Sequence, residues 1–340
     1  MADDRVIVMG SPPSPYTRKM LAVLRYRHIP YSFISRKDAQ DRGLPAARVP
    51  LLPTLYFPEN PESPVTDTSP IIRQLEGDLP GRSIIPDDPV LALIDMLLED
   101  YGDEWLTKAM FHYRWVRQAD IDRSTTMLPL WFDRIRPDTE IHKAGEAFAK
   151  RQISRLDVVG SNAQTGPLIE QSYERLLGLL DTHLTDHPFL LGSRPGAGDF
   201  AIFGQLTQLA GFDPTPMELT FATAPRVHAW MTAVEDLTGV EPKAYDWVDA
   251  EALPDTLIAI LAEIGRTYVP VMLANAQAVA DDDQTVDATV NGTPWRQRTF
   301  PYQAKCVRWL REAFALLSAE DQDRLQPILT GTGCAQLFQP

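Results

Sequence analysis

The spacing of hydrophobic residues predicts a small α/β unit at the start of the chain. Val6–Met9 is an apolar, β-branched run typical of a buried strand, and residues 17–26 carry apolar side chains at helical spacing. Residues 31–35 and 54–57 are two further strand-like runs. Val65 and Thr66 form a possible short strand, and residues 67–69 suit the N-cap of a second helix.

The pattern becomes helical from Pro89 onward. Apolar residues keep a spacing near 3.6 through Phe111, which predicts one helix of about 28 residues, roughly 42 Å long. The stretch 77–89 between the two patterns is the predicted domain boundary. Further helices are predicted at residues 122–135, 138–156, 166–185, 198–211 and 223–237, with breaks at Pro129, Pro137, Pro188 and Pro195.

A third part follows residue 245. Residues 254–278 predict a helix interrupted at Pro270, and residues 285–299 contain the Asn291-Gly292 dipeptide favoured in two-residue hairpin turns. A helical stripe at 302–317 and a last helix capped by Ser318 complete the chain. The predicted domains are 1–80, an α/β unit, 81–244, an all-helical unit, and 245–340, a helical extension with a possible hairpin.

Composition narrows the class of protein. The 340 residues are 44% hydrophobic and 23% charged, typical of a soluble globular protein, and no run of about 18 apolar residues predicts a membrane span. The start of the chain is acidic, unlike a signal peptide. The two cysteines, Cys306 and Cys334, make neither a disulfide framework nor a metal cluster, so we expect a cytoplasmic location and no metal.

The charge distribution also excludes classes of partner. A net charge of -14 argues against binding nucleic acid, whose phosphates need a basic surface. Residues 1–80 hold ten Lys or Arg and nine Asp or Glu, a balance of +1, so the other 260 residues carry -15. A small anionic ligand would therefore meet less repulsion in the first 80 residues.

Four short motifs occur in an order that suggests a family. Ser14-Pro15-Tyr16-Thr17 lies between the first strand and helix, Pro53 precedes Thr54, and Asp67-Thr68 opens the second helix. Phe189–Gly192 is followed by Gly196-Ala197-Gly198-Asp199, similar to a helix-capping box with glycine in place of Ser or Thr. By their order and spacing, residues 5–240 resemble the glutathione S-transferase family, while the last 95 residues exceed its usual length.

The resemblance implies a thioredoxin-like N-terminal domain, an all-helical second domain and a homodimer. It implies an enzyme that binds glutathione as cosubstrate and adds its thiolate to a small hydrophobic electrophile. The net charge and the lack of a long apolar run predict neither nucleic acid nor a membrane as a partner. Two alternatives stay open: a non-catalytic protein of the same fold that binds or scaffolds a partner, and a glutathione-dependent lyase, isomerase or dehalogenase.

The resemblance places thiol activation in the turn that contains Ser14. A hydroxyl donor at a helix N-terminus favours a thiolate by hydrogen bonding and by the helix dipole. Ser11, Tyr16 and Thr17 are rivals, and helix capping alone would also explain these side chains. This turn contains no cysteine, which disfavours a reaction through a mixed disulfide between glutathione and the protein.

The resemblance also implies the remaining site residues. A cis bond before Pro53, with Pro50 as an alternative register, would present the Leu52 backbone to glutathione. Asp67 and Thr68 would hold its γ-glutamyl end, although both can also act as helix caps. Lys37 and Arg48 are candidates for the glycyl carboxylate. Trp105 and His112 are candidates for the electrophile pocket, against the ordinary interpretation of aromatic residues as core.

Overall fold

The computed structural model describes residues 5–79, 81–132, 134–243 and 246–339. Its N-terminal sheet has four strands in the order β2-β1-β3-β4, with β1 and β2 parallel and the other neighbours antiparallel. The strands are β1 (Val6–Met9), β2 (Tyr31–Ile34), β3 (Thr54–Tyr56) and β4 (Val65–Thr66). The first helices are α1 (Pro15–Tyr26), α2 (Arg36–Asp41) and α3 (Thr68–Asp78).

Alternation along β1 gives this sheet two buried faces. Val6 and Val8 pack into the main hydrophobic core with α1 and α3, whereas Met9 packs on the other face with Ala39 of α2. This confirms the predicted thioredoxin-like unit. The sequence did not predict α2, whose N-terminus Ser35 caps by accepting the Asp38 N–H.

After α3, the regular elements of the described residues are helices, one hairpin and two short 3-10 helices. The middle helices are α4 (Pro89–Glu104), α5 (Leu106–Val116), α6 (Gln118–Phe132), α7 (Asp138–Ile153), α8 (Gly166–His183), α9 (Ala197–Leu209), α10 (Pro214–Thr223) and α11 (Pro225–Val234). Every residue of α9 is buried, and this helix forms the centre on which α1 and α4 pack. The all-helical second unit is thereby confirmed.

Two predicted helix limits in this part are wrong, and the sequence pattern did not predict one of the helices. The single helix from Pro89 is two helices, because the chain turns at Trp105, whose indole N–H donates to Ser172 Oγ at 2.8 Å and whose ring packs on Trp295. Pro129 lies inside α6 instead of ending it. The helix predicted at 223–237 is α11, and it is preceded by α10, which the pattern did not predict.

The C-terminal extension contains α12 (Asp255–Ala280), the strands β5 (Thr285–Val290) and β6 (Thr293–Arg298), α13 (Pro301–Ala315) and α14 (Ala319–Thr332). The hairpin is confirmed, with Asn291 and Gly292 at φ of 49° and 76° in its turn. Ser318 accepts the Asp321 N–H and caps α14 as expected. Pro270 does not interrupt α12, because neighbouring elements enclose that helix.

The extension shares the main core with the rest of the chain. Tyr268 of α12, Trp295 of β6 and Leu310 of α13 are almost fully buried in that core. In the described part of the chain, α12 is the one helix long and apolar enough to span a membrane, and 56% of its apolar window is buried in the protein. The domain limits predicted at 80/81 and 244/245 involve Pro80, Ala244 and Tyr245, which lie outside the described residues.

Candidate functional site

The turn between β1 and α1 places two serines beside a cleft. Ser14 is the N-cap of α1, and its Oγ accepts the Thr17 N–H at 3.2 Å, so its own hydroxyl proton can be donated elsewhere. Ser11 is 3% exposed, and its Oγ has no hydrogen-bond partner among the described residues. Gly204 of α9 lies so close to the Pro15 carbonyl that a Cβ at this position would be 2.7 Å from that oxygen. The close contact with α9 fixes the start of α1.

The other two hydroxyls of the turn are engaged. Tyr16 donates to the Asp103 carbonyl at 2.9 Å, and burial, followed by Glu104 and Asp103, raises the pKa of Tyr16 well above its usual value. Thr17 is fully buried, and its Oγ1 accepts the Ser11 N–H at 3.4 Å. Of the four hydroxyls considered, Ser11 and Ser14 remain available to a ligand.

The peptide bond between Leu52 and Pro53 is cis. This is the alignment that the resemblance favoured, with Pro53 and not Pro50 as the cis-proline. Among the described residues, the Leu52 N–H and C=O make no backbone hydrogen bond. Leu52 lines both cavities described next, and Ser11 lines them too.

Two adjoining cavities of about 540 and 200 Å³ separate the N-terminal sheet from α5, α6 and α7. We call them together the cleft; they share Ser11, Leu52, Phe132 and Phe148. The larger one is also lined by polar residues of α2 and the apolar side of α7. The smaller one is also lined by Pro13, Ser14, Met110, Phe111, Arg114, Trp115, Leu128 and Gln152.

Basic residues lie at the larger cavity. Lys37 lines it and pairs with Asp41 one turn further along α2, and Arg36 and Arg136 line it too. Arg48 is exposed and lines neither part of the cleft. Of the two basic candidates from the sequence, the structure therefore brings only Lys37 to the cleft.

Asp67 and Thr68 lie at the start of α3 as expected, but Asp67 does not cap the helix with its side chain. Its carboxylate instead interacts with Tyr302 and Lys305 of α13, with Lys305 Nζ at 3.8 Å from Oδ2. Burial raises the pKa of Asp67, while Tyr302 and Lys305 partly oppose that rise. Thr68 is 4% exposed. The extension thus contacts Asp67 directly, and neither Asp67 nor Thr68 lines the cleft.

Trp105 and His112 do not line the cleft, which corrects the sequence prediction. Trp105 is bound to Ser172, and His112 is buried with Nδ1 at 2.7 Å from Ser161 Oγ and Nε2 at 3.1 Å from Glu170. Burial lowers the pKa of His112. The two residues are seven positions apart and therefore share a face, which is turned to the core. Residues 110, 111, 114 and 115 form the face at the cleft.

Six ionisable residues, five of them buried and Asp100 half-buried, lie behind α1, and we call them the charged seam: Lys19, Glu99, Asp100, Asp103, Glu104 and Lys108. Lys19 Nζ is 2.7 Å from Glu99 Oε1 and 2.6 Å from Asp103 Oδ2. Burial alone would lower the pKa of Lys19, but Asp103 and Glu99 outweigh it and raise that pKa. The seam fixes α1 to α4, although no sequence motif indicated it.

Burial also keeps acids of the seam protonated to higher pH. It raises the pKa of Asp103 to about 6, of Asp100 to about 7 and of Glu104 to about 8, with neighbouring carboxylates adding to the effect. The pKa of Glu99 is lowered to about 2, because Lys19 and Arg73 outweigh its burial. The described residues contain no group of three or more His, Cys, Asp or Glu that could hold a metal ion.

Asp199 has the structural role predicted for it. Its carboxylate accepts the Leu190 N–H and the Gly196 N–H, both at 2.9 Å, which joins the start of α9 to the preceding loop. Burial raises the pKa of Asp199 to about 7. It lies away from the cleft lining and contributes to the packing of α9.

Two protein-family profiles match the chain. Residues 8–83 match the glutathione S-transferase N-terminal domain, and residues 131–233 match the glutathione S-transferase C-terminal domain. Together they span slightly more than half of the sequence, in the order the fold requires. The chain belongs to the glutathione S-transferase family.

Solved structures of glutathione S-transferases are also similar, at low identity. One is the Tau class enzyme from mango, Mangifera indica, at 16% identity over 71% of this chain and 94% of that one, with a TM-score of 0.41. Another, from Methylobacterium radiotolerans in complex with glutathione sulfonate, is 19% identical over 72% and 98%, with a TM-score of 0.41. The beta-etherase LigF from Sphingobium is 13% identical over 69% and 95%, with a TM-score of 0.45. No curated protein matches the sequence.

Proposed function

We propose that this member of the glutathione S-transferase family is a glutathione transferase that adds the thiolate of glutathione to a small apolar electrophile. One observation carries the proposal. The cleft joins the N-terminus of α1, with the hydroxyls of Ser11 and Ser14, the backbone of Leu52, and an apolar wall from the helical part of the chain.

Glutathione would lie along the edge of the sheet. The N–H and C=O of Leu52 pair with its cysteinyl residue as an added strand would. Its glycyl carboxylate points toward Lys37, its γ-glutamyl ammonium toward Asp67, and its γ-glutamyl carboxylate toward Thr68 and the N-terminus of α3.

Ser14 would activate the thiol. A free thiol of this kind has a pKa of about 8.5, and the thiolate is the nucleophile. The Ser14 oxygen already accepts the Thr17 N–H, so its proton is free to be donated to the sulfur at the positive end of α1. The thiolate then attacks the electrophilic carbon, and the leaving group departs with the bonding electron pair.

The electrophile would bind against the apolar part of the cleft, which includes Phe111, Phe132 and Phe148. Holding both reactants there converts a bimolecular reaction into one between positioned groups. The family also supports the proposals of a homodimer and a cytoplasmic location. We further propose the three domains 1–80, 81–244 and 245–340, the last of which exceeds the usual length of the family. Light scattering after size exclusion tests the homodimer, because a monomer mass would contradict it.

The test separates binding from chemistry. Calorimetry should show that glutathione binds at or below millimolar concentration, and Ser14→Ala should keep that affinity. Because a positioned donor to a reacting anion is lost, Ser14→Ala should lower kcat/KM with an activated chloroarene by about 100-fold. The thiolate absorbance of bound glutathione should also appear only at higher pH than in the wild type.

Ser11→Ala is the matched control, since it removes the neighbouring hydroxyl of the same turn. A larger loss in Ser11→Ala than in Ser14→Ala would transfer the role to Ser11. No glutathione binding in the wild type would end the proposal. Binding without turnover of any electrophile would favour a scaffold, and turnover of a β-ether, an isomerisable thioester or a haloalkane alone would favour a lyase, isomerase or dehalogenase.

A further inference from the structure

A further cavity of about 450 Å³ lies between α4 and α13, with the first turns of α3 at its side, and we call it the α13 cavity. It shares no lining residue with the cleft, and neither Asp67 nor Thr68 lines it. The proposed function gives it no role. Its two main walls differ in chemistry, because α13 supplies mostly apolar side chains and α4 supplies four acids.

The apolar wall follows one face of α13. Trp309, Leu310, Ala313 and Leu316 line the cavity at helical spacing. Leu310 is fully buried, whereas Leu316 is 87% exposed, so the cavity runs from the protein interior to solvent along this face. An apolar ligand that lies there would remove Leu316 from water.

The acidic wall is the part of the charged seam on α4. Glu99 is balanced, because Lys19 Nζ is 2.7 Å from one carboxylate oxygen and Arg73 is 2.9 Å from the other. Asp103 shares Lys19 through Oδ2 at 2.6 Å, but its Oδ1 has no hydrogen-bond partner among the described residues. The Asp103 side chain is only 10% exposed. One buried acceptor of the cavity lining is therefore left unsatisfied.

Asp100 and Glu104 have even less positive charge beside them. Asp100 accepts from the Tyr268 hydroxyl and contacts the Cys306 thiol, and both of these groups are neutral. Lys108 is the cation that acts on Glu104, but within the described part of the chain it makes no ion pair with it inside 4 Å. Burial and neighbouring carboxylates raise the pKa of both acids. The acidic wall thus has room for one more positive charge.

We infer that the α13 cavity is a second ligand site, which binds an organic amine as its ammonium ion, with the ammonium group at Asp100, Asp103 and Glu104. Asp100 lies one turn from both other acids, so the three carboxylates occupy neighbouring positions on one face of α4. A primary ammonium group has three N–H donors for them. The apolar body of the amine packs along Leu310 and Leu316 toward solvent.

The orientation of the ligand follows from the other cations. Lys305 Nζ already lies 4.1 Å from the centre of the Trp309 ring, so the ligand cannot place its own charge on that ring face. Arg73 is the one cation among the described residues that line the cavity, and Glu99 binds it. A carboxylate ligand would meet four acids of α4, which disfavours an anion of the same shape.

Calorimetry on the full chain at about pH 8 tests this inference with octylamine, octanol and nonanoate. The three probes share an eight-carbon body, whose length matches the roughly 9 Å of helix between positions 310 and 316. The amine is then an ammonium ion, because such amines have a pKa of about 10.4. It should bind about 10-fold or more tightly than octanol, since hydrogen bonds between charged groups are the stronger ones. Nonanoate should bind most weakly.

Two variants separate the charge from the apolar wall. Asp103→Asn keeps the pair of Lys19 with Glu99 and should weaken octylamine by about 10-fold while leaving octanol unchanged. Ala313→Trp fills the cavity without touching an acid and should abolish binding of both probes. Circular dichroism checks that each variant is folded.

Glu312→Gln is the matched control. Glu312 also lines the α13 cavity, but its side chain is 60% exposed and pairs with Arg308, so the variant removes an equal charge at the rim. Because solvent screens this position, octylamine should lose less than about twofold in affinity.

Every other outcome overturns the inference. Equal affinities for octylamine and octanol, or an unchanged amine affinity in Asp103→Asn, would show that the apolar body alone drives binding. Octylamine binding that persists in Ala313→Trp would place the amine elsewhere, and no amine binding at millimolar concentration would leave the cavity without this ligand. The proposed function survives each of these results, since the cleft shares no residue with the α13 cavity.

Discussion

The cleft lies at the N-terminus of α1, whereas the charged seam pairs with Lys19 inside that helix, and the polar groups of the two regions differ in kind. At the cleft the polar groups are hydroxyls, a free backbone segment and an exposed lysine, so they can exchange water for a ligand. In the seam they are ionisable groups inside the protein: Lys19 and Glu99 are charged and paired with each other, while burial keeps acids such as Glu104 protonated to higher pH. Helix α1 therefore presents its N-terminus to the cleft and is held in place by Lys19 in its second turn.

The largest expected effect on stability comes from removing the Lys19 ammonium from the charged seam. Lys19→Met removes the cation shared by the buried Glu99 and Asp103 and leaves Arg73 as the remaining cation beside Glu99, which should cost about 3 to 5 kcal/mol of the free energy of unfolding. Urea denaturation followed by circular dichroism measures the change. Lys37→Met is the control, because its pair with Asp41 is exposed and should cost less than about 0.5 kcal/mol. Similar costs for both variants would remove the contrast between the two regions.

The next effect concerns pH. Asp100 and Glu104 have folded pKa values of about 7 and 8, above the usual values near 4, so the folded state binds more protons than the unfolded state at neutral pH. Stability is therefore greater at low pH and is lost as pH rises through this window. Each extra proton bound by the folded state lowers the free energy of unfolding by up to about 1.4 kcal/mol for each unit that the pH rises. The two histidines with lowered pKa, His112 and His183, act in the opposite direction only below about pH 6.5.

Denaturation between about pH 6.5 and 7.5 measures this slope. Glu104→Gln mimics the protonated side chain and should make the free energy of unfolding less dependent on pH, by about 1 kcal/mol over that unit. Glu62→Gln, at an exposed acid, should leave the slope as in the wild type. A slope in Glu104→Gln equal to that of the wild type would show that Glu104 is ionised in the folded protein.

The features predicted from the sequence are local ones. The strands of the sheet, the cap at Ser14 and the Asn291-Gly292 turn each depend on a few adjacent residues, and the structure contains all three. The cis bond before Pro53 followed from the family pattern. Local signals sufficed because backbone geometry and capping act over one turn or less.

The charged seam and the packing of the C-terminal extension depend on contacts between residues that are distant in sequence. Lys19 and Glu99 are 80 residues apart, and Asp67 and Lys305 are far more distant. One local signal for the seam exists: acids at 99, 100, 103 and 104 share one face of an otherwise apolar helix. No sequence pattern indicates which surface of the protein α13 packs on, so the contact of α13 with Asp67 could not be predicted.

The smallest expected effects come from substitutions at two adjacent residues of α5, Phe111 and His112. One residue turns the side chain by about 100°, so Phe111 lines the cleft while His112 faces the core. Phe111→Leu should raise KM for an apolar electrophile by about 3- to 10-fold and change stability by less than about 1 kcal/mol. His112→Asn should leave KM unchanged and cost about 1 to 2 kcal/mol, because Ser161 and Glu170 lose a buried partner. Steady-state kinetics and urea denaturation measure both, and a change of KM in His112→Asn without one in Phe111→Leu would place the electrophile on the face first expected from the sequence.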